Sequence, residues 1–211
     1  MIREVKNDRG GFAARVGQFS SESPMTGTIC TLAPFDESYL PMVRQHLNDP
    51  EVTRYLSRAD RNTMEGVVSW LQRKSAGTDH VFAILRRFTL HDESHFEFVG
   101  ITALHIVDEG RAALSGTIIG VKRVWGQGIG YEAKLLQHGY AFKVLALEWI
   151  YALIVEENQR TQRLLTRLGY DRLATRPECI PTSNATFAQV VYGLSRDRWV
   201  HLQAGKQAIF P

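Results

Sequence analysis

Trp125-Gly126-Gln127-Gly128-Ile129-Gly130 decides the reading of this 211-residue chain. It stands between an apolar run with strand character, Gly116-Thr117-Ile118-Ile119-Gly120-Val121, and a run with helical spacing from Tyr131 to Leu145. A strand that turns through glycines into a helix leaves backbone N–H groups bare at the helix N-terminus, where the helix dipole adds partial positive charge. Such a place suits a phosphate. A tight turn with no ligand is the plain alternative, since glycine also serves backbone geometry alone. Two phosphate-binding patterns are excluded. The dinucleotide fingerprint would need glycine where Tyr131 stands, and the Walker A loop would need Lys-Ser or Lys-Thr after Gly130.

Composition sets broad bounds. The length suits one domain with a well-buried core. Hydrophobic residues at 44% and charged residues at 22% give the profile of a soluble globular protein. A net charge of +3 favours an anionic ligand mildly and shows no concentrated basic patch of the kind that marks nucleic-acid binding. Cys30 and Cys179 have no CxxC spacing, which fits a reducing cytoplasm and argues against a metal site. No apolar run has the length of a membrane span, and the N-terminus lacks the apolar core of a signal peptide.

Outward from the glycine stretch, the chain reads as alternating elements. Residues 1–27, with Gly10-Gly11, Ser20, Ser21, Ser23 and Pro24, read as a flexible or loosely docked arm, or one that crosses a partner subunit. The organised domain is expected over 28–202, with a tail at 203–211. Thr28 to Leu32 reads as a first strand. Asp36 caps a helix through Tyr39, Leu40, Val43 and Leu47, Asp49-Pro50 opens a short turn of helix to Tyr55, and Thr63 caps another helix through Leu71. Val81–Leu85 is a buried strand, and His91–His95 a polar hairpin region. Phe96–Leu104 and Ala112–Val121 form a hairpin over Asp108-Glu109-Gly110. In the helix after the glycines, Ala133, Leu136, Tyr140 and Val144 share one face, with Lys134, Gln137 and Lys143 off it. Glu148–Val155 is a strand, Asn158 caps a helix that Gly169 ends, and Phe187–Leu194 is a last strand. The order gives a mixed α/β sheet without internal repeats.

This order and these motifs resemble the GNAT superfamily of acyl-CoA-dependent N-acyltransferases, and within it the branch that includes ribosomal-protein N-terminal acetyltransferases. That branch carries Ile-Gly and then Trp-Gly-x-Gly-aromatic-Gly/Ala-x-Glu-Ala. Here Ile119-Gly120 precede Trp125-Gly126-Gln127-Gly128-Ile129-Gly130-Tyr131-Glu132-Ala133, with Ile129 aliphatic where an aromatic is common. The branch's Asn-x-x-Ser and Leu-Gly-Phe read here Asn158-Gln159-Arg160-Thr161 and Leu168-Gly169-Tyr170, and Trp199 follows Arg196-Asp197-Arg198. The resemblance covers about Thr28 to Trp199.

The resemblance implies a mixed α/β fold with a splayed central sheet and flanking helices. It implies acetyl-CoA as acyl donor, no metal, and an amine-bearing acceptor, either a small molecule or a protein N-terminus. Nucleic acid and membrane are not expected partners; a homodimer is left open. By the same resemblance, backbone N–H groups of Gly126, Gln127, Gly128, Ile129, Gly130 and Tyr131 would hold the pyrophosphate. Ile118, Ile119 and Gly120 would lie along the pantetheine arm, much as an added strand pairs. Asn158 would bond the pantetheine, with Thr161 close by; a plain helix cap is the alternative for Asn158. Arg160, Arg163 and Arg167 share a helix face, solvated or turned to the adenosine phosphates. The splayed partner strand would be Trp149–Val155, and acceptor choice would lie in the helices from Asp36 to Leu71 and the loop around Pro177–Ser183.

The chemistry asks for a base, because an alkyl ammonium or α-amino group must lose a proton before it attacks a thioester. A tyrosine acid common in the family falls on Leu165, and an acidic residue common on the hairpin strand falls on Leu114. Neither can transfer a proton. Tyr170 reads as structural. His105 is the candidate catalytic residue, because histidine ordinarily titrates near neutrality; a packed or surface histidine is the alternative. Ser115, Thr117 and Glu157 are further relay candidates, and Asp108 and Glu109 form the turn. The function expected is acetyl transfer from acetyl-CoA to a primary amine by direct attack in a ternary complex. A module that binds acyl-CoA with little or no turnover is the second reading.

Overall fold

The computed structural model describes residues 23–56, 79–181 and 186–209. Within them the chain forms β1 (Met25–Thr26), β2 (Cys30–Pro34), α1 (Leu40–Leu47), β3 (Asp79–Leu90), β4 (Glu93–Val107), β5 (Ala112–Ile119), α2 (Ile129–Lys143), β6 (Trp149–Val155), α3 (Gln159–Arg167), β7 (Asp171–Pro181), β8 (Thr186–Ser195) and α4 (Arg196–Ile209). The strands make one eight-stranded sheet in the order β1-β2-β3-β4-β5-β6-β8-β7. The mixed α/β architecture expected from sequence is therefore present. The helix expected after Thr63 lies outside the described residues.

Every neighbouring pair is antiparallel except β5 and β6, which run parallel. That pairing holds only for Ala112↔Trp149, Ala113↔Ile150 and Leu114↔Tyr151. Beyond Leu114 the two strands part, and the facing edges from Ser115 to Ile119 and from Ala152 to Val155 have no ladder between them. An unpaired strand edge is a ready surface for an extended ligand. The splay puts such an edge in the middle of the molecule.

Two apolar clusters sandwich the sheet. On one face, Ile129, Ala133, Tyr140 and Phe142 of α2, Leu165 of α3 and Trp199 of α4 pack on Leu32, Phe82, Ile84, Leu104 and Ile150. On the other, Val43 and Leu47 of α1 pack on Val81, Ala83, Phe98 and Ala103. Burial on both faces explains why Val81 to Ile84 reads as an unbroken apolar run.

Several boundaries differ from the sequence reading for local reasons. The first long strand starts at Cys30, because residues 27–30 form a turn closed by Gly27 N–H to Cys30 C=O at 2.8 Å. The stretch from Asp49 to Tyr55 is a series of turns and not a helix. The polar region His91–His95 shrinks to a two-residue turn, His91-Asp92, with both φ angles positive, at 50° and 64°. Tight hairpins favour such φ pairs, and aspartate tolerates them better than most side chains. β7 was not expected at all, and α4 continues through the boundary drawn at residue 202.

α2 departs most. Ala133 and Tyr140 are buried as expected, but Val144 is 39% exposed, while Lys134, Gln137 and His138 are 4%, 0% and 0% exposed. The helix is enclosed on more than one side, so its polar residues turn inward and bond there. Gln137 donates to Thr102 Oγ1 at 2.7 Å and to Ala103 C=O at 3.0 Å, and His138 shares a bond with the Tyr170 hydroxyl at 2.9 Å.

Candidate acyl-transfer site

The glycine loop connects the free edge of β5 to α2. Gly126 and Gly128 adopt left-handed φ angles of 80° and 84°, which side chains rarely tolerate. No atom lies within 4 Å of a Cβ built on Gly126, and only Ile29 Cδ1, at 3.5 Å, comes near one on Gly128. Neighbouring residues do not account for glycine here; the backbone conformation does, and it leaves the mouth open. Gly128 is the N-cap of α2 and brings no side chain to the first N–H groups of the helix. The stretch expected to cradle a pyrophosphate, Gly126 to Tyr131, thus has an exposed turn at Gly126 to Gly128 leading into the N-terminus of α2, a place whose first N–H groups and dipole favour an anion.

The loop is held from both sides. Trp125 Nε1–H donates to Ile119 C=O at 2.8 Å, and Gln127 Nε2–H donates to Arg123 C=O at 2.9 Å. Gln127 is thus tied back to the preceding turn by its side chain and also by its own N–H, which donates to Val124 C=O at 3.4 Å. From α3, the Arg160 guanidinium sits 4.8 Å from the Trp125 ring centre, and that of Arg167 sits 4.5 Å from the Tyr131 ring centre. Both arginines are exposed, as the solvated reading of that helix face expects, and lie on rings at the two ends of the glycine stretch. Glu132 anchors the base of α2, its carboxylate accepting N–H groups of Thr28, Ile29 and Cys30 at 2.7, 2.8 and 2.7 Å.

Asn158 Oδ1 accepts the Thr161 N–H at 3.1 Å, so the residue does cap α3. Capping uses the oxygen and leaves the amide NH2 as a donor for a second partner. Ile118 and Ile119 stand on the free edge of β5, each half-buried against an opposite face of the sheet. Gly120 has a different cause from the other glycines. A Cβ there would fall 1.9 Å from His46 Cγ, so its size makes room for the imidazole of α1. Burial lowers the His46 pKa, against a smaller opposing effect of Asp49.

His105 Nδ1 lies 2.9 Å from Asp79 Oδ1, with Asp79 nearly buried. A carboxylate on Nδ1 selects the tautomer with its proton there and a lone pair on Nε2, the arrangement a general base needs. Strand register sets Asp79, His105, Leu114 and Tyr151 side by side in one row across β3, β4, β5 and β6. Leu114–Tyr151 is the last pair before the splay, so His105 stands level with the apex of the cleft, on the α1 face. Asp79 was missed in the sequence, because only the β3–β4 register brings it to a histidine 26 residues later.

Other candidates fall differently. Ser115 and Thr117 face α2, on the opposite side of β5 from His105. Glu157 is exposed beyond β6. Leu165 is 1% exposed in the core. Tyr170 is structural: its buried hydroxyl bonds His138, and burial pushes its pKa far up. Cys30 is a free, buried thiol, also pushed far up, and among the described residues no cluster of His, Cys, Asp and Glu could hold a metal. No described helix is long and apolar enough to cross a membrane. An open depression of about 710 Å³ lies beside α1, where Lys122 bridges Asp49 and Glu51, and none of the candidate site residues lines it.

Residues 30–171 match the model of the acetyltransferase (GNAT) domain, well over half of the chain. The chain belongs to the GNAT acetyltransferase family. Among solved structures, a presumed acetyltransferase from T. thermophilus is 28% identical with a TM-score of 0.68, over 92% of this chain and 100% of that one. The spermidine N-acetyltransferase from Vibrio cholerae, in complex with CoA and spermine, has a TM-score of 0.69 at 15% identity, covering 81% of this chain and 98% of that one. The ribosomal L7/L12 alpha-N-protein acetyltransferase RimL, in complex with coenzyme A, has a TM-score of 0.65 at 16% identity, covering 82% and 98%. The last two share the fold alone. Comparison with curated proteins yields no significant match. The GNAT assignment agrees with the splayed β5–β6 pair and with the glycine loop at the end of β5.

Proposed function

We propose that this GNAT protein transfers an acetyl group from acetyl-CoA to a primary amine, a small amine or a protein N-terminus, by direct attack within a ternary complex. One observation carries the reading. The free edge of β5 leads from the anion cradle to the last β5–β6 pair, and at that level His105, backed by buried Asp79, faces the other side of the sheet. The donor substrate would lie along Ile118, Ile119 and Gly120, with its pyrophosphate on the N–H groups of Gly126 to Tyr131. Asn158 and Thr161 would meet its arm from α3.

In this reading the acceptor arrives as an ammonium, whose ordinary pKa of roughly 8 to 10.4 keeps it protonated at neutral pH. His105 Nε2 takes that proton, and the Asp79 carboxylate stabilises the imidazolium that forms. The freed amine attacks the thioester carbonyl. Backbone N–H groups on the unpaired edge of β5 would polarise the oxygen. An amine acceptor is consistent with fold relatives named for spermidine and for a protein N-terminus.

The test is thiol release from acetyl-CoA across a panel of polyamines, amino acids, amine antibiotics and N-terminal peptides. We expect release with at least one class and loss of coenzyme A binding in Gly128→Asp, where a side chain at φ 84° adds strain and like charge. Calorimetry showing unchanged affinity in that variant would remove the donor-site assignment. Binding of coenzyme A by the native protein with no release for any amine would favour a module that binds acyl-CoA without turnover.

A further inference from the structure

Lys134 is a buried lysine on the second turn of α2, 4% exposed. Its Nζ donates to Ser115 Oγ and, at 3.2 Å, to Gln137 Oε1. Ser115 Oγ in turn donates to Gln137 Oε1 at 2.6 Å. Gln137 Nε2 passes on to Thr102 Oγ1 at 2.7 Å, which lies 2.7 Å from Thr117 Oγ1 and donates to Gly116 C=O at 3.0 Å. The groups facing Lys134 are thus Ser115 of β5 and Gln137 of α2, with Thr102 of β4 and Thr117 of β5 behind them, and none is charged. Burial alone accounts for a lysine pKa lowered to about 7.

The position of Ser115 gives this cluster a use. It is the first β5 residue past the last β5–β6 pair, half-buried at the apex of the splay. It lies on the α2 face, opposite His105. From Gly120 back to Ser115 is roughly 17 Å of strand. An extended arm laid along β5 from the glycine loop therefore brings its reacting end toward Ser115.

We propose that Lys134 supplies, through the Ser115 hydroxyl, the proton taken up by the departing thiolate. This rests on the acetyl-transfer reading above. As the acceptor nitrogen bonds to the acetyl carbon, the carbon–sulfur bond breaks and its electron pair stays on sulfur. The Ser115 hydroxyl turns its proton from Gln137 Oε1 to the sulfur and passes it there while Lys134 gives one to Ser115 Oγ, so the products are a thiol and a neutral lysine. His105 hands the first ammonium proton to solvent and then takes the second proton of the acceptor nitrogen as the amide forms, and Lys134 regains its proton from solvent. An ammonium titrating near 7 is a stronger acid than an alkyl thiol near about 8.5, so the transfer runs downhill. Ser115 touches the reacting sulfur; Lys134 is the positioning residue and proton source behind it.

The experiment measures single-turnover thiol release by the full chain, by Ser115→Ala and by Lys134→Met from about pH 6 to 9, with coenzyme A affinity and thermal melting alongside. Ser115→Ala removes one hydroxyl and leaves Lys134 its bond to Gln137, so it keeps the test valid should Lys134→Met fold poorly. The native rate is expected to fall as pH rises through about 7, where Lys134 loses its proton. Both variants should be slower by roughly tenfold to a hundredfold, near the low end of acid catalysis because a thiolate leaves fairly well. They should lack that falling limb and bind coenzyme A within about twofold of native. Native rate with the falling limb retained in either folded variant overturns this inference alone. If the native protein binds coenzyme A but releases no thiol with any amine, acetyl transfer fails and this inference fails with it.

Discussion

The indole N–H of Trp125 donates to the carbonyl of Ile119 at 2.8 Å, tying the start of the glycine loop to the end of the strand that would carry the acyl donor. The bond closes the path from β5 into the loop, so the direction in which the loop leaves the strand is set by a side chain as well as by glycines. The same ring carries the Arg160 guanidinium on its face.

Trp125→Phe keeps an aromatic face for Arg160 and removes only the N–H donor. Leaving one carbonyl unpaired should lower stability by about 1 kcal/mol. Because the lost bond sits at the mouth of the cradle, coenzyme A affinity should fall by about two- to tenfold. Urea denaturation and calorimetry read the two effects separately. Native values of both in the variant would show that the bond does not organise the loop.

Glu132 anchors the other end of the cradle. Its carboxylate accepts three backbone N–H groups at the start of β2. Glu132→Gln is nearly isosteric, yet it replaces a charged double acceptor by one neutral oxygen and an NH2 that faces other donors. Charge-assisted bonds exceed neutral ones, and at least one N–H is left unmet, so the loss should be about 2 to 3 kcal/mol. A fall in the urea midpoint at unchanged m-value is the expected signature. A loss under about 0.5 kcal/mol would mean that water replaces the clamp.

Two half-buried histidines set a pH dependence of stability. Burial lowers the pKa of both His46 and His80, outweighing the opposing effects of Asp49 and Asp79. The unfolded chain therefore takes up protons that the fold refuses as pH falls through the ordinary value of about 6.5. The histidine contribution should be full above that value and decline below it, while Lys134, with its pKa lowered to about 7, adds a separate rise in stability as pH increases from about 7. Asp49, held below its ordinary range mainly by its bond to Lys122, adds stability that is lost only at lower pH. Between about pH 7.5 and about pH 5.5 the histidines are isolated by comparing the native chain with the double variant, since both share the Lys134 contribution. Urea denaturation of the native chain and of His46→Gln/His80→Gln tests this: the variant should show the smaller difference, and an equal one would assign the dependence elsewhere.

Patterns confined to one segment were legible. The Trp125 to Gly130 loop, the Asn158 cap, the Gly169 stop and the apolar strands all express local backbone preferences or continuous burial, which neighbours in sequence are enough to specify. Helix α2 was not legible in the same way. A single apolar stripe was expected, yet Lys134, Gln137 and His138 turned inward, because the partners that satisfy them come from β4, β5 and the residue after Gly169. β7 escaped notice for the opposite reason: its residues up to Pro177 are exposed, so little burial pattern marks it as a strand.

The sequence by itself determined the segment proposed to hold the acyl donor: a strand, a glycine turn and a helix N-terminus, whose geometry follows from local backbone chemistry. Tertiary structure decided which polar groups meet along the proposed proton path. Asp79 meets His105 only through the β3–β4 register, and Lys134 meets Ser115 only because α2 lies across β5. The pairing of distant polar groups depends on burial and register, and those are properties of the folded sheet rather than of any stretch of chain.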